Sequence, residues 1–123
     1  MPPFAPGQIW QYNTRPTEQA SRIIICRVES DPNAGQIVHI HVTGIRLKNK
    51  HAPGGASDQV SHMPYSAEAL QKCLTHLEST TTKLPDFEDG YHEWRTAFDQ
   101  HQAGIWTAPI AQAIAGIESA LNQ

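Results

Sequence analysis

Residues 21–47 read SRIIICRVESDPNAGQIVHIHVTGIRL, and no other stretch narrows the fold as far. Two runs dense in Ile and Val flank SDPNAG (30–35), where Asp, Pro, Asn and Gly crowd together. β-branched side chains suit the pleated surface of a strand, and that loop composition suits a hairpin turn. An antiparallel hairpin with strands at 21–29 and 35–47 follows. Gly44 marks a bulge or bend inside the longer strand. GQIWQY (7–12) alternates as a further strand, with Ile9 on one side and Trp10 and Tyr12 on the other. The polar, Gly-rich KNKHAPGGASDQ (48–59) reads as the most mobile loop.

The second half changes period. Ser66 is placed to cap AEALQKCLTHLES, where Leu70, Leu74 and Leu77 recur at helical spacing. Pro85 and Gly104 bracket PDFEDGYHEWRTAFDQHQAG as a second helical stretch. Its acids Asp86, Glu88 and Asp89 lie at the N-terminal end, where they suit the helix dipole, and Gly90 weakens its first turn. The aromatics Phe87, Tyr91, Trp94 and Phe98 share one face, a core stripe. Thr107 precedes APIAQAIAGIESAL, with Ile110, Ile114, Ile117 and Leu121 in one line. Strands followed by helices predict an α+β domain over 1–123, mainly strands at 7–65 and mainly helices at 66–122. The sheet is expected to be small, bent and antiparallel, with an SH3-like barrel as its closed form, packed by two to three helices. The expected core comprises Ile9, Ile23, Ile25, Val38, Ile40, Val42, Leu70, Leu74, Tyr91, Trp94, Phe98, Ile110, Ile114 and Ile117.

A chain of 123 residues is the usual size for one domain with its own core. Its formal charge of −3 gives no basis for nucleic acid or an anionic membrane as partner. Residues 1–62 carry six Lys/Arg against four Asp/Glu, and residues 63–123 carry three against eight, so the acidic excess belongs to the helical half. No basic segment followed by an apolar one opens the chain, and no apolar run approaches the roughly 18 residues of a spanning helix. Cys26 and Cys73 read as small buried residues of a reduced protein. Together these predict a soluble, cytoplasmic chain.

Within IVHIHV (37–42), His39 and His41 share one strand face while Val38, Ile40 and Val42 share the other. Two same-face histidines can bind one metal or ligand, with His51 and His62 as further candidates. No fixed ligand spacing joins the four, so no metal and no cofactor is predicted. HEWRT (92–96) begins like a zinc-protease helix, but Thr96 stands where the second histidine is needed. No nucleophile elbow, phosphate loop, dinucleotide fingerprint or Cys-x-x-Cys is present.

Three known patterns touch the chain. Cupins carry His-x-His followed by a glutamate, and HIHVTGIRL offers none. IVHIHVTGIRLKNKHAPGG locally resembles the histidine-triad nucleotide hydrolases, with Ile37 in place of the first histidine; the resemblance implies His39 as nucleophile. PGQIWQYNTRPTEQASRIIICRV (6–28) resembles the opening of MazF/PemK-like toxins, small barrels that cleave RNA. Glu18 and Arg22 fit that pattern, whereas Ile23 replaces its proline and Arg15-Pro16 comes too early. This resemblance implies a barrel-like topology. No catalytic constellation is complete, so the expected function is a non-enzymatic module that binds another protein or itself, with Trp10 and Tyr12 as contact face. A small hydrolase or metal enzyme on the His39/His41 face is the alternative, and a MazF/PemK-like RNA-cleaving barrel the second.

Overall fold

The computed structural model describes residues 3–123; Met1 and Pro2, part of the opening read above and of the 1–123 span, lie outside them. Five strands form one antiparallel sheet, joined by three α-helices. The strands are β1 (Gln8–Tyr12), β2 (Arg22–Asp31), β3 (Gly35–Lys48), β4 (Ala56–Ser66) and β5 (Leu74–Thr80). The helices are α1 (Ala67–Cys73), α2 (Glu88–Asp99) and α3 (Ile110–Leu121). The order β4-β3-β2-β1-β5 leaves the sheet open, so the class is α+β without a closed barrel. Among the described residues no helix is long and apolar enough to cross a membrane.

The hairpin stands where the sequence places it. Asp31 Oδ2 accepts the N–H groups of Asn33 and Ala34, both at 2.9 Å, closing the turn that sets the β2–β3 register. Gly44 adopts φ +71°, and the β3–β4 register shifts between Thr43 and Leu47 around it. A Cβ there would stand 3.1 Å from Ser21 Cα, so both the conformation and the close strand approach require glycine.

One sheet face packs on α1 and α3. Val38, Ile40 and Val42 are fully buried there with Ile23, Ile25, Leu70, Ile110 and Ile114. Each such side chain contributes roughly 1.5–3 kcal/mol relative to exposure. Trp10 and Tyr12 join this core, with Trp10 Nε1 donating to Gln8 Oε1 and the Tyr12 hydroxyl bonded to Ser21 Oγ. That reverses the expected facing of β1: the aromatics point inward and Ile9 is half-buried. The larger rings bury more area, and the polar atom of each has a partner inside. At 3% and 5% exposure, Trp10 and Tyr12 offer no contact face. Trp94, Phe98 and Ile117 are likewise only half-buried. The thiols of Cys26 and Cys73 are free and buried.

Three element boundaries depart from the sequence reading. Residues 56–59, read as loop, begin β4. The helix capped by Ser66, whose Oγ accepts from Ala69 N, ends at Cys73, and Leu74–Thr80 become a strand against β1. Leu74 and Leu77, which fit helical spacing, pair instead with Tyr12 and Trp10. The pairing lets β1 bond on both sides, which one extra helical turn would not do. α2 and α3 begin later than expected, behind Phe87 and Pro109.

α3 is tied down at its C-terminal end. Glu118 accepts from Arg15 Nη1 at 3.2 Å and from Lys48 N at 2.7 Å, and Asn122 bonds Lys48 O and Lys50 N. After α2 the chain runs beside β4, where Trp106 N donates to Pro64 O and Ser66 N to Trp106 O. Tyr65 and Trp106 thereby form a parallel bridge that closes that end of the β4 edge.

Candidate functional site

The second sheet face carries the histidines, and α2 lies on it. β2 and β4 both break register beside His39: one shift falls between Ile25 and Arg27, the other opposite His41, between the Ile40 and Val42 pairs. Bulges re-aim side chains. Here they bring Arg27 and Glu29 of β2, and His62 of β4, onto His39.

The contacts form a directed chain. His39 Nε2 lies 3.1 Å from Glu29 Oε2, and His39 Nδ1 lies 2.8 Å from His62 Nε2. Glu29 is held below the ordinary carboxylate range: burial alone would raise it, but the Tyr91 hydroxyl, the adjoining His39 imidazole and the Arg27 and Arg95 guanidiniums outweigh burial. An ionised carboxylate only accepts, so the N–H of neutral His39 sits on Nε2 and its Nδ1 accepts from His62 Nε2–H. Burial pushes both imidazoles down to about 4, with the neighbouring ring adding to the effect on His39 and Glu29 only partly opposing it. The pair is therefore neutral at pH 7, and the Glu29–His39 contact is a hydrogen bond to a carboxylate.

α2 closes over the cluster. The Tyr91 hydroxyl donates to Glu29 Oε2 at 2.8 Å and Arg95 Nη1 to Glu29 Oε1 at 2.6 Å. The rings of Tyr91 and Trp94 stand edge-on to His39 at 4.8 and 4.9 Å, and the Arg27 guanidinium lies 4.6 Å over the Tyr91 ring. Gly90 permits the close approach, since a Cβ there would come within 3.1 Å of His62 Cβ. As a result His39 has no exposed surface.

Of the four candidate histidines, the structure joins His39 and His62. His41, 4% exposed, donates from Nδ1 to Ser61 O at 3.1 Å. His51 is exposed on the β3–β4 loop, and no hydrogen bond or ring contact joins it to the others. Among the described residues no group of three His, Cys, Asp or Glu is arranged to hold a metal ion. The reason is geometric: each nitrogen of His39 is turned to a different neighbour, so the lone pairs do not converge. Clefts open beside α1 (Asn13, Ser66, Lys72, Cys73 and Thr107; about 350 Å³) and along the β3–β4 hairpin (Arg46, Asp58 and Gln59; about 660 Å³). Neither is lined by a residue of the cluster.

Glu29, Arg27, Tyr91 and Arg95 were not singled out from the sequence as partners of the histidines. The signal lay in the hairpin: a tight turn at Asp31–Gly35 sets Arg27 opposite His39 and Glu29 one same-face step away. Compared with known protein families, with curated proteins and with solved structures, the chain matches none.

Proposed function

We propose that the chain is a non-catalytic module, working in the cytoplasm without a cofactor, that associates with another protein or a second copy along an open edge of its sheet. The observation that carries this reading is the outer side of β5. Leu74–Thr80 pair with β1 on one side, bulged at Thr75 and Glu78, and, among the described residues, with no strand on the other. An unpaired edge is a template for an added strand, with main-chain bonds for affinity and alternate side chains for specificity. The opposite edge, on β4, is partly occupied by Trp106. β5 bears no Lys or Arg, which disfavours nucleic acid as its partner.

The histidine cluster supports the same reading. A catalytic group must reach substrate, and His39 is enclosed by Glu29, His62, Tyr91 and Trp94, with His62 alone of the two rings keeping some surface. The test is a photoreactive amino acid placed at Thr75 of the full chain in cells, with Glu93, exposed on α2, as control. A discrete protein adduct from Thr75 and none from Glu93 is expected. No adduct from Thr75, or the same adducts from both positions, would overturn the proposal.

One observation favours a second reading, a His-dependent hydrolase: the carboxylate–imidazole–imidazole order of Glu29, His39 and His62 leaves His62 Nδ1 as a base. Under it, His62→Ala abolishes hydrolysis of an activated ester or phosphodiester while leaving thermal stability intact. The association reading expects the reverse, a loss of stability with no hydrolysis to lose.

A further inference from the structure

We infer that β5 is a homotypic edge, pairing antiparallel with β5 of a second copy about a twofold axis at Leu77; this rests on the association reading and names its partner. Its central five residues, THLES, are self-complementary about Leu77, with Leu74 meeting Thr80 at the ends. In an antiparallel pair centred there, Leu77 meets Leu77, His76 meets Glu78 and Thr75 meets Ser79. Directly opposed residues share a face, and an imidazole N–H can donate to a carboxylate across the strands.

The faces are consistent. His76 is registered with Gln11. Glu78 Oε1 accepts from Gln11 Nε2 at 2.9 Å and from Arg22 Nε at 3.0 Å, so both side chains stand on the outward sheet face. Those bonds orient the Glu78 carboxylate and leave Oε2 to meet His76 of the second copy. Leu77, registered with Trp10, packs against the core side and forms the apolar centre of the pair. Other registers are worse. Centring on Glu78 opposes two carboxylates, centring on His76 opposes two imidazoles, and a centre between residues takes His76 off Glu78.

Edges are commonly blunted by lysine, proline or bulges. β5 has no lysine or proline, but it carries two bulges against β1, whose extra residues Thr75 and Glu78 lie on either side of Leu77 and leave the edge only partly blunted. A contact between two strands this short falls below the roughly 1,200 Å² of a stable interface, so the dimer is weak and concentration-dependent.

Sedimentation equilibrium of the purified full chain, with H76E and H76K alongside, tests the inference. Residue 76 is exposed, and thermal melts check that each variant keeps the fold. Wild type is expected to dimerise reversibly. H76E, which opposes two carboxylate pairs per dimer, should raise the dimer Kd at least about tenfold, and H76K should keep it within about threefold. A chain that stays monomeric throughout, as a blunted edge would, overturns the inference, and so does a dimer that H76E leaves unchanged. The association reading falls separately, on the Thr75 cross-link: a Thr75 adduct with a different protein beside a monomeric chain would keep that reading and reject the homotypic edge.

Discussion

A buried, uncharged histidine needs both ring nitrogens satisfied, and His39 obtains this from Glu29 on one side and His62 on the other. Because folding holds both rings neutral, acid should loosen the structure. The unfolded histidines, with an ordinary pKa near 6.5, take up protons that the folded ones, down at about 4, refuse. More protons bound in the unfolded state means stability rises with pH, so it should fall as pH drops from 6.5 toward 4. The slope is about 1.4 kcal/mol per pH unit for each histidine that stays neutral, measurable by urea denaturation at several pH values. From about 4.5, the ordinary carboxylate value, downward the Glu29 contribution fades as well, because its folded pKa is lowered and its stabilisation is lost as pH falls through it. Glu29→Gln leaves Arg95, Arg27 and the Tyr91 hydroxyl without their shared anion, and should cost about 2 kcal/mol in the same assay at pH 7. The sequence made His39 and His41 equal partners in one candidate site. Bulges in the two neighbouring strands give them different fates, and a bulge leaves little trace in a single run of residues.

At the scale of elements, the hairpin was legible because three independent signals agree over residues 21–47: β-branched runs, turn chemistry and Gly44. The polar face of β3 was legible too; that α2 covers it follows from the aromatic stripe, whose Tyr91 and Trp94 suit an imidazole better than an aliphatic row would. β5 was not legible. Leu70, Leu74 and Leu77 fit helical spacing, and only the need of β1 for a second neighbour, a non-local fact, turns residues 74–80 into a strand. Gly90 likewise read as a weakness of its helix, whereas it is the point where α2 meets His62. Gly90→Ala gains about 1 kcal/mol of helix propensity but presses a methyl on a Cβ fixed by β4. His62 is also held by its ring, so α2 must move, and a net loss of about 1 kcal/mol is expected in thermal or urea melts.

The whole molecule is a sheet covered on both faces with unequal edges. α1 and α3 take the apolar face, α2 takes the histidine face, and the chain itself occupies part of the β4 edge through Trp106. That distribution moves the proposed contact from Trp10 and Tyr12 to β5. It also makes the state of the half-buried His62 beside the enclosed His39 decisive, since a reactive imidazole on that face would restore a catalytic role. Long-range ¹H–¹⁵N NMR titration of the imidazoles measures this directly. His39 and His62 should both remain neutral, with their protons on Nε2, down to about pH 4. Titration of either ring near the ordinary value of about 6.5, in the folded protein, would contradict a closed cluster and return the site to catalysis.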